Sequence, residues 1–350
     1  MANREVDKKK YLVIAYLSDY GVWGEEDLDP SKITHINYAF GVIENGKLGW
    51  KHLKKLEYLK KYKEINPELK IILSIGGWGA DGFSDAALTQ ESRNQIVDSA
   101  MEFVVSNNFD GVDIDWEYPC NNQAGIKTRE EDRENFTLCL KNFREKLDIQ
   151  EKKDKKKYIL SIALGAGQNY IDDIEMGKVH PYLNFINVMT YDMRGSYTNI
   201  TGHHANLFSS NEDAEGISGD KVVNLLLQAG VPDKKNILGS AFYSRCWEKV
   251  KNIGTGINVQ AKTTGCKTID YSVLAEKYIN KNGFVRYWDE QAKAPYLFNG
   301  STFISYEDKD SLECKANYVV DKNIGGLMFW EYPLDNTHEL VDTIHSVLVK

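Results

Sequence analysis

The chain has 350 residues, 42% of them apolar types, enough to bury a large core as one α/β barrel or as two ordinary domains. Its net charge of -8 argues against nucleic acid or an anionic membrane as the main partner. Five cysteines without a CxxC spacing exclude a disulfide scaffold; a pair between Cys246 and Cys266 across a loop is open, since spacing does not determine connectivity.

Residues 1–10, MANREVDKKK, carry charge with no apolar run of signal-peptide or membrane-spanning length behind them, and read as a tail. From 11 onward the chain reads as one domain to 350. YLVIAYL (11–17) is the first strand, ITHINYAFG (33–41) the second and KIILSI (70–75) the third. Residues 92–106 place Ile96, Ala100, Phe103 and Val104 at helical spacing. GVDIDW (111–116) is the fourth strand, and a helix over 129–147 carries Phe136, Leu140 and Phe143. The charged run 152–157 reads as a solvated loop. YILSIAL (158–164), FINVM (185–189) and NILGSA (236–241) follow as strands, with a helix over 221–228.

The interval before the last strand, GGLMFW (325–330), is too long for one helix. Residues 248–306 read as a small α+β insertion, with a capped helix at 270–278 and short strands at 287–289, 295–298 and 302–306. A helix over 312–320 precedes the last strand. Eight strands, apolar on both faces and alternating with helices, predict a (β/α)8 TIM barrel with an insertion between strands seven and eight. A doubly wound sheet is disfavoured because no glycine fingerprint follows the first strand.

The fourth strand carries the chemistry. Side chains alternate faces along a strand, so Asp113, Asp115 and Glu117 share one face while Val112, Ile114 and Trp116 share the other. A row of acids on a buried strand demands partners or shifted pKa values. A calcium loop would spread its acids over a glycine-containing turn, and a solvated edge strand would not carry Val112, Ile114 and Trp116. Barrel enzymes place catalytic groups at the C-terminal strand ends, where Glu117 falls. The adjacent pair His203-His204 would point opposite ways on a strand, so no metal is expected, and no cofactor.

DGVDIDWE, with Asp110, Asp113, Asp115 and Glu117, resembles the DxxDxDxE motif of family-18 glycoside hydrolases. SIGGW (74–78), MTYD (189–192), AFYSR (241–245) and FWEYPLD (329–335) resemble that family's segments on strands three, six, seven and eight, in the same order. The likeness spans about 11–345, and the insertion resembles that of the long-cleft chitinases.

The resemblance implies retaining, substrate-assisted hydrolysis of β-1,4 bonds in chitin or chitooligosaccharides. Glu117 would be the general acid and base, and the 2-acetamido oxygen of the sugar the nucleophile. Asp115 would bind the acetamido N–H, with Asp113 behind it sharing one proton, and Tyr191 would hold the acetamido oxygen. Tyr16 and Ser74 would hydrogen-bond Asp113, while Met189 and Asp192 would shape the same subsite. Trp330 would floor the sugar and Trp78 would lie on the leaving-group side. Phe40, Gly77, Tyr118 and Tyr243 complete the expected substrate-binding set, with Gly76 and Gly77 letting backbone approach closely. Arg245 would reach either a sugar hydroxyl or an acid. Each aromatic has an ordinary reading as core, and Ser74 as a small packing residue.

Two alternatives remain at this stage. One is an endo-β-N-acetylglucosaminidase acting on N-glycan cores or peptidoglycan-type glycans. The other is a non-catalytic chitin-binding lectin, against which the retained Glu117 argues. A GlcNAc-containing glycan is the expected partner of a monomer. The family implies an extracellular or cell- or spore-surface setting, which residues 1–10 do not signal.

Overall fold

A computed structural model describes residues 11–349 except 196, 212, 214, 215 and 263–266. The tail 1–10 and Cys266 lie outside the described residues. Eight parallel strands close into a barrel: Leu12–Ser18, His35–Glu44, Lys70–Gly76, Gly111–Asp115, Ile159–Gly165, Phe185–Met189, Asn236–Ala241 and Gly326–Trp330. Each pairs with its sequence neighbour, and the first strand closes the ring against both the second and the last. The (β/α)8 barrel read from the sequence is the fold.

Period-two alternation sorts the strand side chains into two cores. Val13, Ala15 and Leu17 face out to the helices and join the large outer core. Ile14, Tyr16, Ile72, Phe185, Ile237 and Met328 point inward and fill the barrel. Above this apolar plug the inward positions become polar, with Ser74, Asp113, Ser161 and Asn187 fully buried. The closed end is thus packed shut and the polar end, at the strand C-termini, is where chemistry can occur.

The helices are longer than the apolar spacing suggested. The fourth strand is followed by a helix over Asp132–Asp154. It runs into the charged segment expected to be loop, because Lys152 and Lys153 sit favourably in the last turn of a helix. Helices at Leu56–Ile65 and Glu339–Leu348 complete the outer layer, the second packing against the first strand and the helix Lys309–Lys322. The second strand also extends into a hairpin with Lys47–Gly49.

Between the seventh and eighth barrel strands lies a four-stranded antiparallel sheet, in the order Val285–Asp289, Ala294–Phe298, Thr302–Ser305, Arg245–Glu248. Its first strand begins at Arg245, ahead of residue 248. It has its own core of Trp247, Tyr296, Phe298 and Phe303. Cys246 is in a disulfide, and Cys120, Cys139 and Cys314 are free.

Candidate active site

The fourth strand sits between the third and fifth in a register that pairs Ser74 with Asp113 and Asp113 with Ser161. Both serines therefore flank Asp113 on the inner face. Ser74 Oγ donates to Asp113 Oδ2 at 2.8 Å, and Ser161 Oγ donates to Oδ1 at 2.6 Å. Tyr16 Oη adds a bond at 2.8 Å and Asn187 Nδ2 one at 3.2 Å. Ser161 and Asn187 were not singled out in the sequence. Their signal was the same period-two rule, applied to strands five and six.

Asp115 is one pleat higher and differently treated. Its Oδ1 is buried and has no hydrogen-bond partner among the described residues. Burial raises both acids' pKa. For Asp113 the four donors oppose the rise, whereas for Asp115 the charges of Glu117 and Asp113 add to it and push it well above the usual range. Glu117 follows the strand end and is only 9% exposed. Burial lifts its carboxyl to about 7, with Tyr118 opposing and the Asp192 charge assisting. Asp110, the first acid of the motif, stands apart from this group. It lies under the barrel, paired with Lys63 at 2.6 Å and Lys156 at 2.9 Å.

Tyr191 and Asp192 leave the end of the sixth strand. Tyr191 packs at the edge of the inner core with Met189 and Trp330, and its hydroxyl lies 3.9 Å from Met328 Sδ. Asp192 takes a left-handed backbone, φ 54°. Arg245 Nε and Nη2 grip its two oxygens at 2.6 and 2.7 Å, and Tyr243 Oη donates to Oδ2 at 2.8 Å. Arg245 thus takes the ion-pair option of the two left open. Burial works to raise the Asp192 pKa, but neighbouring His204 and the Arg245 guanidinium outweigh it and hold the carboxyl far below the usual range.

The aromatic residues divide by environment. Trp330 lies at the end of the last strand, stacked on Phe40 at 5.5 Å and 13° and tilted against Tyr16 at 5.7 Å. A register shift between Ala39 and Gly41 brings Phe40 onto it. Trp78 is 64% exposed and meets buried Tyr118 edge-on at 6.5 Å. Tyr118 also packs on Tyr170 at 4.4 Å, a contact the sequence did not suggest. Gly76 and Gly77 carry φ of 121° and 93°, and Gly77 N donates to Asp115 O at 2.9 Å. A Cβ on Gly76 would fall 2.0 Å from that same carbonyl oxygen. These glycines bind the third strand tightly to the acid strand.

Among the described residues no group of three or more His, Cys, Asp or Glu is arranged to hold a metal, and no helix is long and apolar enough to cross a membrane. His203 pairs with Asp289 at 3.1 Å, away from His204.

A closed parallel barrel whose fourth strand delivers a row of acids to its mouth defines a barrel glycosidase. The model of glycosyl hydrolases family 18 matches residues 12–335, and the chain belongs to that family. Chitinase A1 of Niallia circulans is 36% identical over 97% of this chain, which spans 58% of that relative's length. A family 18 N-acetylglucosaminidase from Paenibacillus barengoltzii has 47% identity and a TM-score of 0.93, covering 97% of this chain and 100% of that one. The multi-modular cell-surface chitinase ChiW from Paenibacillus sp. str. FPU-7 has 45% identity and a TM-score of 0.92, covering 97% of this chain and 43% of that one.

Proposed function

We propose that this chain hydrolyses β-1,4 bonds in chitin or chitooligosaccharides with retention, using the substrate's own acetamido group as nucleophile. The observation that carries this reading is the unpartnered, buried Asp115 Oδ1 between a fully bonded Asp113 and the protonatable Glu117. A nucleophilic carboxylate would need to attack carbon. Burial first, and then the charges of Glu117 and Asp113, push the Asp115 pKa well above the usual range, so its ionised form is a strong acceptor for an N–H and for developing positive charge.

Glu117 donates its proton to the glycosidic oxygen as the bond to the anomeric carbon breaks. The acetamido oxygen closes on that carbon from the opposite face, forming a cyclic oxazolinium ion. Asp115 accepts the acetamido N–H, and the Tyr191 hydroxyl holds the acetamido oxygen in line. Asp113 shares one proton with Asp115 and stabilises its charge as the ion forms. Glu117, now a carboxylate, takes a proton from water, which opens the ring with overall retention. Trp330, Phe40, Trp78 and Tyr118 offer aromatic faces to the sugars, and Met189, Asp192, Tyr243 and Arg245 shape the subsite around the acetamido group.

The first-formed products of chitohexaose, read by proton NMR, test this. The β-anomer must appear first, and an initial α-anomer rejects the mechanism. A second reading, release of single N-acetylglucosamine units, is favoured by the Paenibacillus barengoltzii relative, which spans the same length. Product size separates the two readings: dimers and trimers support chitinase action, and monomer alone supports the second.

A further inference from the structure

His204 is fully buried, and neither ring nitrogen has a hydrogen-bond partner among the described residues. Its Nδ1 lies 3.6 Å from Asp192 Oδ1, a long polar contact that still favours the ionised carboxyl. The residue is nonetheless firmly held. Its backbone N–H donates to Ser305 Oγ at 2.9 Å, and its carbonyl accepts from Met193, the residue after Asp192, at 3.0 Å. Its ring packs on Tyr243 at 5.6 Å. The Asp192 side chain is 37% exposed on its other side.

We propose that His204 is a positioning residue for this site, a neutral imidazole that backs the Asp192 carboxylate and keeps it in the orientation gripped by Arg245 and Tyr243. The proposal rests on the hydrolytic reading above. Its link to the chemistry is the Asp192 charge, which helps hold Glu117 in its protonated form.

The charged surroundings define what protonation of His204 would do. Asp192 faces it from the loop after the sixth strand, and Arg245 and Tyr243 from the segment after the seventh. Lys315 faces it from the helix Lys309–Lys322, itself paired with Glu307 at 2.7 Å. Neighbouring His203 is engaged by Asp289. With neutral His204, Asp192 balances Arg245, and Glu307 balances Lys315. A protonated imidazole would add an uncompensated cation beside Asp192 and compete with Arg245 and Tyr243 for its oxygens. Burial opposes that charge and pulls the His204 pKa below its ordinary value, against the pull of Asp192.

His204→Phe and His204→Gln test this. The first keeps a ring on Tyr243 but offers no polar atom to Asp192. The second keeps a donor but cannot take up charge near neutral pH. His204→Phe should lower kcat about tenfold with KM little changed, about one decade of transition-state stabilisation. His204→Gln should recover most of that rate. In both, the acid limb of the pH–rate profile should move down by about half a pH unit, because the extra cation no longer forms. In His204→Phe the alkaline limb, set by Glu117, should also move down, because a displaced Asp192 charge supports that proton less; in His204→Gln it should stay. Thermal unfolding gives a readout free of catalysis. Wild-type stability should fall as pH drops through the depressed His204 pKa, and both variants should lose that step. Acid limbs and unfolding profiles that superimpose on wild type would overturn the proposal, and His204→Gln decides if His204→Phe does not fold. Failure of wild type itself to cleave chitohexaose would instead strike the hydrolytic reading.

Discussion

Asp113 and Asp115 stand two residues apart on one face of one strand, yet among the described residues Asp113 accepts four hydrogen bonds while Asp115 Oδ1 accepts none. The difference comes from barrel geometry. At the level of Asp113 the neighbouring strands contribute Ser74, Ser161, Asn187 and Tyr16. One pleat higher the walls end, and Gly76 is the register partner of Asp115. The lower acid is built into the scaffold and the upper one is left to interact with what enters the barrel.

Ser161→Ala should therefore be costly although Ser161 is remote from the barrel mouth. A hydrogen bond to a charged group contributes about 1.5–3 kcal/mol, and its loss leaves a buried acid short of a donor. Chemical unfolding should show a loss of that order at neutral pH, with kcat reduced. An unchanged unfolding midpoint would contradict the role given to the four donors.

Glu117→Gln should abolish about 10²–10⁴-fold of the rate, the range for a single general acid. The wild-type alkaline limb of kcat/KM should fall near pH 7, where the raised Glu117 carboxyl gives up the proton that the proposed mechanism has it donate. Its folded pKa lies above the unfolded value. The protonated form is thus stabilising at low pH, and that contribution is lost as pH rises through about 7. Glu117→Gln should therefore unfold at a higher temperature than wild type at pH 8, and similarly at pH 4. Equal melting at both pH values would contradict the raised pKa.

Arg245 neutralises Asp192 through two bonds, so Arg245→Ala would leave a partly buried carboxylate without its cation. Removing one partner of a buried pair costs about 3–5 kcal/mol, and the 31% exposure of Arg245 places this case toward or below the lower figure. Arg245→Lys should recover only part, because an ammonium cannot reproduce the two-point grip. Unfolding and kcat measured on both variants check this; full recovery by lysine would contradict it.

Gly76→Ala should be harsher than its single methyl suggests. The backbone there is left-handed, and the added Cβ would strike the Asp115 carbonyl oxygen. The acid strand must shift, so activity should fall at least about a hundredfold even where circular dichroism remains that of a folded barrel. Retained activity would mean that the third strand does not position Asp115.

Much of this was legible in the sequence, for definable reasons. Buried parallel strands are apolar on both faces, and that pattern placed all eight within a few residues. The shared face of Asp113, Asp115 and Glu117 followed from period two alone. What could not be read was lateral. Ser161 and Asn187 meet Asp113 only because a barrel sets strands five and six at particular levels. Arg245 reaches Asp192 across 53 residues of sequence, and spacing alone offered a sugar hydroxyl equally well. A polar helix end resembles a loop in sequence, as at Lys152 and Lys153. His204 stands out in the sequence only as half of a histidine pair, since its burial against Asp192 depends on the loop after strand six.

In the proposed mechanism the substrate's acetamido group does the work of an enzyme nucleophile. The most direct test compares kcat on p-nitrophenyl chitobioside and p-nitrophenyl cellobioside, which differ at C2 in this group. The cellobioside should be slower by at least about a thousandfold, since a held intramolecular nucleophile is worth that much or more. Rates within about tenfold of each other, about 1.4 kcal/mol, would contradict it.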